Sequence, residues 1–282
     1  MSPIVLAAVL GAAVLHGTWN AIAKAIPARL VASALIGAVY LVAGAVGCLV
    51  LPPIAAASVP YLIASAIAQT LYLVLLTAAY ARSEFGRAYP LTRGLSVLGI
   101  TLASTTLLGE RLTPVQLLGI AVVALSLLSL SWTRGGAPGD RVGTLLMIAV
   151  GATVTVYSVL DGIGVRASGQ PLGYAAWLFL LQGAAIPLVC LALAPDRRAF
   201  VLGLRTHAML GVIGGVISLA AYTIVVWAQS VAPLAVVSAL RETGVIAASA
   251  IGYVVFRERL RPWRLVASLC AVAGIVAIRA GG

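Results

Sequence analysis

Long apolar runs alternate along this chain with short breaks marked by arginine, proline and glycine. A helix crossing about 30 Å of hydrocarbon at about 1.5 Å per residue needs roughly 20 mostly apolar residues. Ten segments meet that length: near 3–23, 30–51, 57–81, 88–108, 114–132, 142–164, 171–194, 207–230, 233–256 and 262–279. Pro27 and the Pro52-Pro53 pair follow the first two. Pro114, Pro171, Pro233 and Pro262 fall at first turns, where the missing N–H costs little. Residues 1–23 read as a retained first span rather than a signal peptide. No basic residue precedes that run, and it contains His16, Trp19 and Asn20.

Composition agrees with a lipid solvent. Of 282 residues, 62% are hydrophobic and only 9% charged, with a mean hydropathy of +1.12. A soluble domain carries about a quarter charged residues. The predicted fold class is therefore an all-α integral membrane protein with ten transmembrane helices. The net charge of +11 is spread singly or in small groups between apolar runs, as membrane-flanking charge is, which speaks against a nucleic-acid partner. Cys48, Cys190 and Cys270 each lie inside an apolar run and read as packing residues. No cofactor or metal is expected.

The stretch Thr133–Arg141 resembles a linker, and it divides the chain into halves at residues 1–133 and 142–282, with 134–141 between them. The halves are related. Gly109-Glu110-Arg111-Leu112-Thr113-Pro114 returns as Arg257-Glu258-Arg259-Leu260-Arg261-Pro262, and the same offset carries Arg93 onto Arg241. Five spans per half is an odd number, so the second half must insert upside down, giving an inverted repeat of two five-helix halves. The connections after spans 1, 3, 5, 7 and 9 hold thirteen Lys and Arg, and the opposite face holds three. The positive-inside tendency then places the basic face in the cytoplasm and both termini outside.

The paired Glu-Arg-Leu-x-Pro signature, with Tyr89-Pro90-Leu91-Thr92-Arg93-Gly94, Leu240-Arg241-Glu242-Thr243 and His16-Gly-Thr-Trp19-Asn20, resembles the EamA domain of the drug/metabolite transporter superfamily. The resemblance covers the whole chain in two copies. It implies a central cavity between the halves, alternating access, and export of small metabolites, aromatic amino acids among them. It implies a bacterial inner-membrane location. The proton-carrying glutamate that the small multidrug branch has in its first span is missing here, where His16 is the one residue of span 1 that titrates near neutral pH.

Polar side chains at membrane depth are costly and mark candidate sites. His16 and Asn20 lie four residues apart on one stripe of span 1, with Trp19 beside them. Tyr157 and Asp161 form a similar stripe on span 6, where Asp161 suits a substrate ammonium, or pairing with Arg166 or a neighbouring span. Gly162 and Gly164 there either loosen the helix or allow close packing. Tyr72 and Tyr222 sit deep in spans 3 and 8, and Arg241 in span 9 suits a substrate carboxylate or a structural ion pair. Arg241 and Glu242 are adjacent, about 100° apart on a helix, and need not pair. The substrate-binding set is thus His16, Trp19, Asn20, Tyr72, Tyr157, Asp161, Tyr222 and Arg241. No GxSxG, HExxH or P-loop occurs, so no catalytic role is assigned and ATP cannot drive the chain. The expected function is a secondary transporter or facilitator of amino acids or similar zwitterions, acting as a monomer. The alternative is a membrane enzyme or flippase acting on lipid-linked substrates.

Overall fold

The computed structural model describes residues 1–82, 85–131, 141–242, 244 and 262–282. The second copy of the signature, Thr243 and linker positions 134–140 lie outside the described residues. The helices are α1 (Pro3–Ala25), α2 (Arg29–Val50), α3 (Val59–Arg82), α4 (Phe85–Thr106), α5 (Pro114–Ser131), α6 (Arg141–Ser168), α7 (Pro171–Leu193), α8 (Arg197–Thr206), α9 (Ala208–Val231), α10 (Leu234–Arg241) and α11 (Pro262–Ala280). A short 3-10 turn, Ala56–Ser58, precedes α3. Among the described residues there is no strand.

Among the described residues, seven helices are long and apolar enough to cross a membrane: α1, α2, α3 with its preceding turn, α5, α6, α7 and α9. α4 carries Arg87 and Arg93, α10 is described over one short piece, and the apolar part of α11 is confined to Val266–Ala280. The chain is a multi-pass membrane protein. Its outer surface fits that solvent: Leu49, Leu107 and Met209 are 86%, 76% and 77% exposed. Lipid removes the hydration penalty such exposure incurs in water.

Local chemistry sets the helix ends. Ser2 Oγ accepts from the Val5 N–H at 3.3 Å, with Pro3 in the first turn. At α5, Thr113 and Gln116 form a reciprocal box. The Gln116 N–H donates to Thr113 Oγ1 at 3.2 Å, and the Thr113 N–H donates to Gln116 Oε1 at 3.0 Å. Asp196 caps α8, its Oδ1 accepting from the Arg198 and Ala199 N–H groups at 2.8 and 3.1 Å. α8 corrects the sequence reading, which ran this stretch as connection. Its signal was the Asp196 cap followed by apolar positions Phe200, Gly203 and Leu204.

The principal packing pairs are α2 on α7, α3 on α6, α1 on α9 and α5 on α11, with α4 against α5 and α6. Glycine sets the closest of these approaches. A Cβ on Gly44 would lie 2.8 Å from the Ala176 carbonyl of α7, and one on Gly183 would collide with the Leu41 backbone of α2. Gly211 and Gly215, four apart on α9, are where that helix rests on Leu35 and Val39 of α2. α5 and α11 cross at a glycine from each. A Cβ on Gly119 would lie 2.6 Å from the Gly274 carbonyl, and one on Gly274 would lie 2.7 Å from that of Gly119.

Candidate functional site

Four helices meet at Asp161. Its Oδ2 accepts from the Tyr222 hydroxyl at 2.6 Å and from Gln69 Nε2 at 3.2 Å, and its Oδ1 accepts from the Tyr174 hydroxyl at 3.2 Å. These donors come from α9, α3 and α7, and the acceptor from α6. The carboxylate is wholly buried. The two glycines that follow allow close packing, and α6 runs through them unbroken. Gly162 faces the Leu234 side chain, and Gly164 leaves room for the Tyr174 ring, whose Cε2 a Cβ there would approach to 2.6 Å. Donors from neighbouring spans thus satisfy Asp161, one of the pairings that the sequence reading offers beside a substrate ammonium and Arg166.

Arg93, Arg241 and Glu242 form a second cluster. Arg93 Nη1 of α4 reaches Glu242 Oε1 at 3.5 Å, and Arg241 Nη2 reaches the same oxygen at 3.3 Å. All three residues are buried. Arg241 and Glu242 pair although adjacent, the two long side chains reaching each other across the 100° between them. Counting 1.5 Å per residue from the helix starts, Arg93 and Arg241 sit roughly 10–12 Å along their helices. Arg241 Nε has no hydrogen-bond partner among the described residues.

The remaining predicted residues join these two clusters. His16 lies in the field of both Arg93 and Arg241. Trp19 Nε1 donates to His16 Nδ1 at 3.2 Å, the rings edge to face at 5.1 Å, and Asn20 Nδ2 donates to the His16 carbonyl at 2.7 Å. With Nδ1 accepting, a neutral ring carries its proton on Nε2. The Asn20 bond stays within its own helix. Tyr157, buried on α6, lies in the field of Arg241, Arg93 and Glu242, and its ring meets Tyr72 edge to face at 5.9 Å. Tyr222 lies in the fields of Asp161 and Arg241. An aromatic run continues from Tyr222 to Phe179 at 6.2 Å and on to Tyr40 at 4.7 Å, where the Tyr40 hydroxyl and Ser218 Oγ are 2.6 Å apart. The geometry gathers all eight predicted residues into one connected region. Sequence reasoning left out the role of Glu242 as the shared carboxylate and missed Tyr174 and Tyr40. Tyrosines in long apolar helices carry no pattern that separates an interior hydroxyl from an interfacial one.

The signature after α4 has a separate job. Gly109 adopts φ +64°, a left-handed turn that a side chain would strain. The turn delivers Glu110 to the start of α10. There both carboxylate oxygens accept from the Leu234 N–H, at 3.1 and 2.9 Å, and Oε1 also takes Arg166 Nη2 at 2.6 Å. Arg166 further donates to the Gln229 and Ala232 carbonyls, each at 2.9 Å. One carboxylate therefore fixes the end of α6 to the junction of α9 and α10, satisfying an orphan donor at a helix N-terminus.

Residues 141–280 match the sequence model of the EamA-like transporter family. The chain is an EamA-domain protein. Among solved structures, 28 chains match this EamA-domain protein. One crystal structure is 19% identical with a TM-score of 0.70, covering 97% of this chain and 94% of its own, which shows a shared fold. Comparison with curated protein sequences gives no match.

Proposed function

We propose that the protein is a secondary transporter that exports small zwitterionic metabolites, amino acids with aromatic or apolar side chains foremost, by alternating access through a cavity between its two halves. One observation carries the reading. Two arginines at equivalent repeat positions converge on the single carboxylate of Glu242, and Arg241 keeps an unpartnered Nε–H. A guanidinium that keeps an unpartnered Nε–H in a low-dielectric interior favours an incoming substrate carboxylate. Tyr157, Tyr72 and Tyr222 supply flat apolar faces beside it for a side chain, and His16 supplies a polar ring nitrogen. Asp161 serves as the anchor that sets Tyr222 in place.

The packing supports an inverted repeat of ten spans. Exchanging α1–α5 for α6, α7, α9, α10 and α11 maps α2/α7 and α5/α11 onto themselves. It maps α3/α6 onto α9/α1, and α4/α5 onto α10/α11, and contacts occur between the helices of each pair. A site between two such halves is the arrangement many secondary transporters use. The charge difference between connections supports a cytoplasmic basic face in a bacterial inner membrane.

Counterflow in proteoliposomes with labelled amino acids, nucleosides and sugars tests the proposal. Exchange of amino acids, weakened at least tenfold by Arg241→Ala in protein that remains folded, is the expected result. No exchange of any solute by folded, inserted protein sinks the transporter reading. Exchange confined to solutes without a carboxylate sinks the role of Arg241.

A further inference from the structure

α8 joins two candidate spans with almost no slack. Three residues, Ala194-Pro195-Asp196, separate it from α7, and His207 alone separates it from α9. Three extended residues reach at most about 10 Å, so α8 is confined to the membrane surface. One side of it is fixed to the bundle: Phe200 is buried in a cluster with Ile26, Val31 and Cys190, and Gly203 rests on Val31. At about 100° per residue, the opposite side presents Arg197, Val201 and Arg205 in one row and Arg198 and Leu202 in the next. Those five line an open depression of about 430 Å³. Val201 and Leu202 are 45% and 65% exposed. The three arginine side chains make no hydrogen bond or ion pair with the described residues. Asp196, the acid next to them in the chain, spends its carboxylate on capping the helix.

We propose that this face of α8 is a binding site for the headgroup of an anionic phospholipid. Guanidiniums pair with phosphate through parallel N–H donors. Val201 and Leu202 between them suit the upper acyl chain, which a free phosphate lacks. Binding of an interfacial helix to anionic bilayers sums buried apolar area and attraction of its basic residues to the headgroups, and α8 offers both. The observations are independent of which solute the core carries.

The experiment uses the full chain in detergent, with phosphatidylglycerol, phosphatidylcholine and inorganic phosphate as separate probes and bound ligand read by native mass spectrometry. Phosphatidylglycerol binds with preference over phosphatidylcholine. A surface arginine is worth about fivefold toward an anionic leaflet, so the combined variant Arg197→Gln, Arg198→Gln, Arg205→Gln lowers that preference roughly a hundredfold. Replacing the same three with Lys restores most of it. The pair Val201→Ser, Leu202→Ser weakens lipid binding without changing phosphate binding. Phe200 is untouched in every variant, and unchanged melting in phosphatidylcholine verifies the fold. Equal binding of the two lipids by the parent protein overturns the proposal, as does an unaltered preference in the Gln variant. Inorganic phosphate that competes fully with phosphatidylglycerol, together with indifference to the serine pair, overturns it in favour of a free-anion site.

Discussion

Replacing Asp161 separates an anchoring role from a substrate-binding one. Asp161→Ala removes the acceptor of three hydrogen bonds, from Tyr222, Tyr174 and Gln69. Hydrogen bonds to a charged group contribute about 1.5–3 kcal/mol each in water-soluble proteins. In bilayers the average falls to roughly 0.6 kcal/mol, because the unfolded helices find other partners. The three bonds together bracket about 2 to 9 kcal/mol, toward the upper end here because Asp161 and Tyr174 are fully buried. Asp161→Asn is milder. If the amide oxygen takes the place of Oδ2, it keeps Tyr222 and Gln69, and the amide nitrogen faces a Tyr174 hydroxyl that can rotate to accept. The loss is then charge assistance alone, about 1–2 kcal/mol. Unfolding in mixed micelles at graded denaturing detergent gives the stability order parent, Asn, Ala. Substrate affinity in the folded fraction of the Asn variant stays within about threefold of the parent. An Asn variant as stable as the parent but unable to bind substrate would refute the anchor and return Asp161 to the substrate.

Other substitutions probe the remaining arrangement. Glu110→Gln retains an acceptor for Leu234 N–H but weakens the bond to Arg166, costing about 1–2 kcal/mol in the same unfolding assay, with Glu110→Ala costing more. Arg241→Lys keeps the charge and loses the planar fork, so KM in counterflow rises while the yield of folded protein stays constant. Gly183→Val drives a side chain into the Leu41 backbone, and the yield of folded protein falls sharply in size-exclusion profiles. Thr113→Val breaks the α5 box and lowers stability by about 1 kcal/mol.

Hydropathy made the spans legible, since a run such as Pro171–Leu193 admits few other readings in lipid. The interior polar residues were legible for the same reason: His16, Asp161 and Arg241 stand out in apolar surroundings. Their partners were not. Whether Asp161 meets Arg166 or three tyrosine and glutamine donors depends on the rotations of four helices, which a single helical stripe does not encode. The Arg241–Glu242 pair eluded the 100° rule because side chains as long as these can bridge that angle. The signature Gly109-Glu110 was read as a family mark, and its physical meaning, a left-handed turn that carries a helix cap, required the position of α10.

The crossing of α5 and α11 bears on how such a bundle could move. With Gly119 and Gly274 each against the other's carbonyl, main chain touches main chain and no rotamer can cushion the contact. Sliding along either axis would drive Cβ atoms of neighbouring residues into opposing backbone, whereas swivelling about the touching point changes few distances. This crossing therefore acts as an axle, and any displacement of α5 against α11 is steered into rotation about it.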